Sequence, residues 1–433
     1  MNERALRKPG RFAVTPPDNP LHPGRLNGKD TVFVFLAFAA AYFCSALLRA
    51  ITATLAPVLT QEFALQAQSL GLLAGGYFLG FAAVQLPLGS WLDRHGPRQV
   101  ILGFLSLAVL GCLAFSVASS FAALLAARVL VGMGVGACLM AALTGYRRWF
   151  DPATLLRANS WMLMTGSLGM LASTLPVQWL MPLMGWRPLF WLLAGLILLS
   201  MAAIAVIVPR WRVSPPLSAR DAAAAPEEAG YAPIWRSRYF RKMAPLAFFN
   251  YGGMVAMQTL WAGPWMIRVA GYTPLESATG LFWINACMLV TFWSWGMVNP
   301  WLARHGWHAT RLIGWGMPLS LAVLAFNIWG GASTGAAGWA LFCVTSSVMG
   351  LAQPAVGMSF RAALAGRALS AYNLVIFAGV FFAQWSLGLL IDGFAAMGLV
   401  PVASFQAAMG VFLCCGMAAY AGFLGMKADN SPQ

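Results

Sequence analysis

The chain has 433 residues, of which 60% are apolar and only 9% charged, and its formal net charge is +15. So few polar groups cannot cover a water-soluble globule of this length, which excludes a soluble enzyme or a soluble binding domain. A bilayer is the environment that such a chain fits, at about 20 predominantly apolar residues per spanning helix.

In chain order, residues 1–30 read as a polar, proline-rich tail with no cleavable signal. Twelve apolar runs then predict spans 1 to 12 at 31–55, 69–92, 98–119, 121–145, 155–182, 187–209, 244–269, 277–303, 310–330, 335–361, 368–395 and 401–426. The stretch 210–243 between spans 6 and 7 contains Pro215-Pro216, an alanine run and Glu227-Glu228, and is expected to be a cytoplasmic linker with some helix on the membrane surface. Residues 427–433 form a short tail. The expected architecture is an all-α integral membrane protein of two six-helix bundles, 31–209 and 244–426, with the ligand site at their seam.

Placing the N-terminus in the cytoplasm puts nearly every Lys and Arg on that side, leaving Arg187 and Arg268 opposite and Arg49 and Arg128 within spans. This is the positive-inside pattern with both termini cytoplasmic, so the basic excess reports topology and not a nucleic-acid footprint. The seven cysteines lie in apolar runs without metal-ligand spacing and the four histidines lie in loops or the tail. No metal, cofactor or nucleic-acid partner is expected.

A charged turn, Gly89–Arg98, sits between spans 2 and 3, and a reduced copy, Leu302–Gly306, returns 210 residues later between spans 8 and 9. The first copy resembles the loop 2–3 signature of the major facilitator superfamily. Arg128-Val-Leu-Val-Gly132-Met-Gly134-Val-Gly136 resembles that superfamily's fourth-helix motif, and Gly185-Trp186-Arg187-Pro-Leu-Phe190 a common turn between its helices 5 and 6. The resemblance runs from about residue 30 to 426 and implies two pseudo-symmetric six-helix bundles that work by alternating access. A carboxylate at the end of span 2 can pair with arginines or with a neighbouring helix N-terminus, so Gly89, Asp93, Arg94, Gly96 and Arg98 are candidates for a gating latch. The bland alternative makes the arginines topogenic charges and Asp93 a helix cap. In the second copy Ala303 stands where the acid is expected.

An arginine deep in a span costs at least about 2–3 kcal/mol, so Arg49 and Arg128 call for a role. Tyr42 through Arg49 resembles the helix 1 pattern of the superfamily's organic-anion transporters, which implies that Arg49 grips a carboxylate or phosphate. Its fixed charge and two-pronged donor geometry suit that task, whereas snorkelling to the surface is the structural alternative. By resemblance Arg128 would organise polar contacts near the cavity, and carbonyl hydrogen bonding is the competing reading. Candidate lining groups on otherwise apolar helices are Tyr251, Gln258 and Trp261 in span 7, Asn285 in span 8, Gln353 in span 10 and Asn373 in span 11. Among the acids, Asp392 alone could lie in a span, at the far end of span 11, so it is the candidate for proton coupling, with a helix-end cap as the alternative.

The leading expectation is a multi-pass, monomeric secondary transporter of a bacterial inner membrane, taking up a small organic anion and coupled to a proton through Asp392, through Asp93, through the substrate or not at all. Export of a drug or metabolite is the alternative, weakened by the absence of the glycine-proline signature of drug antiporters in span 5. No Ser/His/Asp set, metal cluster or phosphate loop supports an enzyme, and no soluble domain supports a sensor.

Overall fold

The computed structural model describes Leu26, residues 28–210 and residues 230–426. The 1–25 and 427–433 tails and the 211–229 part of the linker lie outside the described residues. Among the described residues there is no strand, and each of the twelve apolar runs coincides with a helix or a short series of helical segments. Among the described residues, nine helices are long and apolar enough to cross a membrane. The remaining runs, spans 2, 5 and 7, are also helical, each as a series of interrupted segments.

Span 1 is one continuous helix, Gly28–Phe63. Span 2 is Ala67–Ala83 followed, after a slight unwinding at Val84, by the start of Gln85–Val117. Gly96 breaks that second helix with φ 76°, ψ 163°, and Pro97 opens span 3 behind it. Only glycine enters this region without strain, so the residue separates spans 2 and 3 by backbone geometry alone. Gly306 repeats the same φ of 76° between spans 8 and 9. The repeat extends further than Leu302–Gly306. Trp91 and Trp301 occupy equivalent places, and His95 Nδ1 and His305 Nδ1 each approach the carbonyl of that tryptophan, at 3.3 and 2.8 Å.

Span 4 runs through Phe121–Val135 and Cys138–Trp149, and span 5 through Pro152–Ala172 and Leu175–Met184. The break in span 5 precedes Pro176, which has no N–H to continue the ladder. The Ser173 carbonyl is met instead by Thr54 Oγ1 of span 1 at 2.8 Å, as an interior without water requires. Span 6 is Trp186–Ile207.

Span 7 begins earlier than its apolar run, in the helix Arg238–Pro245, and contains two π-helical turns, Leu246–Tyr251 and Met257–Trp261. The wide turns interrupt its hydrogen bonding. Gly252 and Gly253 between them are packing points, where a Cβ would strike Val380 N and Phe412. Spans 8 to 12 are Pro274–Arg304, Ala309–Gly330, Ala336–Ser346 continued by Ala352–Met358, Ala362–Ala396 and Pro401–Gly425.

Leu26 N donates to the Trp149 carbonyl at 3.0 Å and Lys242 Nζ to the Met426 carbonyl at 2.7 Å. These contacts place both ends of the described chain at one end of the bundle, called here the terminal end. At the opposite, distal end Glu62 accepts from Arg187 Nη1 at 2.6 Å and Trp186 Nε1 at 2.7 Å, tying span 1 to span 6. Large apolar side chains such as Trp191, Trp283 and Trp329 point outward, as expected of helices that meet lipid tails.

Small residues set how closely the helices approach. A Cβ at Gly132 would collide with the Tyr77 backbone, and one at Gly80 with the Val129 carbonyl, so spans 2 and 4 touch backbone to backbone. Gly103 has nothing within 4 Å. Gly132→Ala should therefore cost about 1–3 kcal/mol through overpacking and lower the melting temperature in detergent, whereas Gly103→Ala should leave it unchanged or slightly raised. Equal melting temperatures for the two variants would contradict this packing.

Candidate functional site

The centre of the molecule is built from four helices, two from the first six spans and two from the last six. Arg49 of span 1 lies against a pair of phenyl rings, with Cζ 5.6 Å from the centroid of Phe81 in span 2 and 5.7 Å from that of Phe377 in span 11. The rings are themselves in contact, their centroids 4.4 Å apart. Phenols from three helices surround the same charge, Tyr42 of span 1, Tyr77 of span 2 and Tyr251 of span 7. Tyr77 Oη donates onward to the Ser45 carbonyl at 3.0 Å, which leaves its lone pairs toward the cation.

Among the described residues no carboxylate forms an ion pair with Arg49. Its Nε–H is buried without a hydrogen-bond partner. Phenyl faces stabilise a guanidinium through the ring quadrupole without neutralising it. The arrangement thus holds a permanent positive charge, only partly shielded, with at least one donor to spare. A site of this kind suits a carboxylate, sulfonate or phosphate.

The other sequence candidates fall into separate groups. Tyr42 borders Arg49 and packs under span 5, where a Cβ at Gly166 would meet its ring at 2.6 Å. Arg128 is fully buried away from the seam, hydrogen-bonded to Thr52 Oγ1 and 5.2 Å above the Tyr77 ring. Gln258 Nε2 donates to Asn285 Oδ1 at 2.9 Å, and Asn285 Nδ2 to the Leu281 carbonyl at 2.8 Å, so both amides are engaged within spans 7 and 8. Trp261 Nε1 reaches across to the Gln384 carbonyl at 3.1 Å. Gln353 Nε2 bonds Asn373 Oδ1 at 2.8 Å, joining spans 10 and 11, and this pair is only partly buried.

At the terminal end Gly89 lies in the continuous helix before the turn, and Asp93 and Arg94 are exposed with no ion pair among the described residues. Arg98 donates to the Ala205 carbonyl, which fixes it to span 6. In this conformation the candidate latch is not engaged. The distal end differs. Asp392 accepts from Ala67 N at 3.1 Å and from Gln68 N at 2.7 Å, capping the N-terminus of span 2 from span 11. The capped helix lies 325 residues away in sequence, and its own N-cap residue, Gln66, makes no side-chain cap.

Sequence reasoning missed Tyr77, Phe81 and Phe377. Tyr77 and Phe81 lie one helical turn apart on a face that also carries Gly76 and Gly80, and that spacing was the available signal. Nothing in the sequence paired them with Phe377.

An all-helical membrane bundle with a partly shielded cation at the meeting of its two sets of six spans defines the class of polytopic solute carriers. Residues 38–384 match the family model of the Major Facilitator Superfamily, and the chain belongs to that family as an MFS transporter. It is 31% identical over 150 residues to the 4-hydroxybenzoate transporter PcaK of Pseudomonas aeruginosa, covering 35% of this chain and 33% of the relative. It is 25% identical over 245 residues to the probable sulfoacetate transporter SauU of Cupriavidus necator, covering 53% and 56% of the two chains. The matched stretches thus span a third and just over half of these relatives. Among solved structures, the D-xylose-proton symporter is similar at a TM-score of 0.74 and 14% identity, over 93% of this chain and 99% of that one. A bacterial homolog of the human lysosomal transporter Spinster, in an inward-facing and occupied conformation, gives 0.72 at 16% identity, over 92% and 97%. At those identities the likeness establishes the fold.

A side-chain cap contributes about 0.5–2 kcal/mol. Asp392→Ala should therefore shift the balance between closed and open distal ends by about 2- to 30-fold toward open. Distances between spin labels at Gln66 and Ala395 would report this as a longer population. An unchanged distribution would show that the cap does not hold the two helices together.

Proposed function

We propose that this protein is a secondary active transporter, not an enzyme, that takes up a small organic anion by alternating access, with Arg49 gripping the anionic group. The observation that carries the reading is the Arg49 guanidinium, set against the touching rings of Phe81 and Phe377 with a spare N–H and, among the described residues, no carboxylate paired with it. The printed names of the two relatives, one for 4-hydroxybenzoate and one for sulfoacetate, support an anion as the cargo class. Flat phenyl walls favour a planar acid in particular, because an aromatic ring stacks on them while its carboxylate meets the cation.

Tyr42, Tyr77 and Tyr251 then orient the anion, and the partly buried Gln353–Asn373 pair supplies amide groups on the other side. Arg128 organises the first six spans from within. Asp392 belongs to the closure of the distal end, and this reading removes it from proton coupling. A proton, where one is used, travels with the substrate's own acid. The excess of basic residues near the terminal end supports a cytoplasmic location for both termini in an inner membrane.

The test is uptake into proteoliposomes. One charge-assisted hydrogen bond is worth about 1.5–3 kcal/mol, so Arg49→Ala should weaken the apparent affinity for 4-hydroxybenzoate or sulfoacetate by about 10- to 150-fold. Arg49→Lys should recover only part of it, since an ammonium lacks the planar fork. Uptake of both acids at wild-type rates and affinities by both variants would refute the anion grip. Acidification or alkalinisation on adding substrate decides the coupling, and Asp392→Asn should leave its pH dependence unchanged.

A further inference from the structure

A second basic site lies at the terminal end, away from Arg49. A crevice of about 950 Å³ opens between the beginnings of spans 7 and 9 and the ends of spans 10 and 12. Its polar wall carries Arg238, Lys242, His308 and Arg311, and among the described residues no Asp or Glu lines it. Lys242 is half-buried, with Nζ 4.6 Å above the Phe423 ring and one of its three donors spent on the Met426 carbonyl. Arg311 lies over the Trp307 ring at 4.4 Å and forms no ion pair among the described residues.

The long helix Ala309–Gly330 begins in the same crevice, and its N-cap residue His308 makes no side-chain cap. Arg311 N and Leu312 N donate to the His308 carbonyl at 3.0 Å, which leaves the Ala309 and Thr310 N–H groups at the positive end of the helix dipole without a partner within the helix. Two cationic side chains on different helices and an uncapped helix start thus converge on one space.

What distinguishes this space from a site for a soluble anion is its lower wall. One and two turns beyond Arg311 stand Trp315 and Pro318, and Trp315 is 73% exposed. Leu424 on span 12 and Met358 on span 10 complete an apolar surface that is open to the outside of the bundle. Seven residues of helix separate Arg311 from Pro318, about 10 Å at 1.5 Å per residue. Positive charge at the end of the bundle and apolar wall below it match a headgroup phosphate and the start of its acyl chains.

We propose that this crevice binds one anionic phospholipid, its headgroup phosphate held by Lys242, Arg311 and the start of span 9, and its chains lying along Trp315 and Leu424. Basic pockets between spanning helices are suited to such headgroups. The bound lipid bridges span 7, which carries the π-helical turns, to span 9 of the outer wall.

Native mass spectrometry of the purified full chain, with phosphatidylglycerol or cardiolipin added, tests the assignment. The wild type should retain one anionic lipid in preference to phosphatidylcholine. The pair Lys242→Gln with Arg311→Gln should reduce retention at least tenfold, Arg311→Lys should largely preserve it, and Arg304→Gln on the neighbouring turn should have no effect. Trp315→Ser should weaken the lipid without affecting charge. Melting temperatures of the variants without added lipid establish that they are folded, and a misfolded double variant is replaced by Arg311→Gln alone. Equal retention by the folded glutamine variant, or equal retention of phosphatidylcholine, would overturn the proposal. Soluble glycerol phosphate binding as well as the lipid would also overturn it, by making the apolar wall irrelevant.

Discussion

The close approach of span 2 to span 11 fixes the geometry of the whole centre. A Cβ at Gly71 would collide with the Gln384 carbonyl, and one at Gly388 with the Ala67 carbonyl, so the two backbones touch near the distal end. Side chains cannot intervene there, and lipid tails offer helices no hydrophobic drive to associate. Contact between bare backbones, with its dispersion and carbonyl complementarity, is how such a joint forms. Further along the same pair, Phe81 and Phe377 meet in place of glycine and carbonyl, and the Arg49 head rests against the two rings. The joint also presents the Gln384 carbonyl to Trp261, and Gln384 Nε2 bonds Thr259 at 2.9 Å, so span 7 takes its position from span 11.

Two arginines lie within this interior, and the contrast between them shows what burial alone does. Arg128 has a hydroxyl, a ring face and close-packed glycines around it, all from the first six spans. Its Nε and Nη1 have no partner, yet it is sealed in, so it acts on the shape of those spans. Arg49 has ring faces from both sets of six spans, and any motion of span 2 against span 11 changes its surroundings. A cation held by aromatic faces retains most of its field, because the rings do not cancel its charge. In the function proposed above, position relative to the seam separates the two arginines, whereas depth in the membrane does not.

The spans were legible because the bilayer imposes length and apolarity on every one of them, and because Gly96, Gly185 and Gly306 mark turns that need positive φ. The interruptions were less so. Gly263-Pro264 looks like a hinge in sequence, but Pro264 follows directly on a π-helical turn and sits near the start of Ala262–Arg268, where its missing N–H costs little. The wide turns fall instead on Leu246–Tyr251 and Met257–Trp261, set by tertiary packing that no local pattern encodes. Asp392 shows the same limit. Its place near a helix end was readable, but its partners Ala67 and Gln68 are backbone groups, which carry no side-chain signature. Arg49 stood out as a lone charge, while its aromatic holders did not, since phenylalanine is ordinary in a membrane helix.

The two ends of the molecule differ in the chemistry available to hold them. At the distal end a carboxylate meets backbone N–H groups at a helix start, a short-range and directional contact reinforced by the helix dipole. At the terminal end the duplicated turn offers side-chain charges, Asp93 and Arg94 in one copy and Arg304 in the other, all exposed. Exposed ion pairs contribute about 0–1 kcal/mol and are screened by salt. The copies share their tryptophan, histidine and glycine geometry, so the loss of the acid at Ala303 leaves the turn intact and removes only its negative charge. A closure built on such turns is intrinsically weaker than one built on a helix cap. That difference favours a structure whose distal end is joined while the terminal-end half of span 4, Cys138–Trp149, packs chiefly on spans 1, 3 and 5.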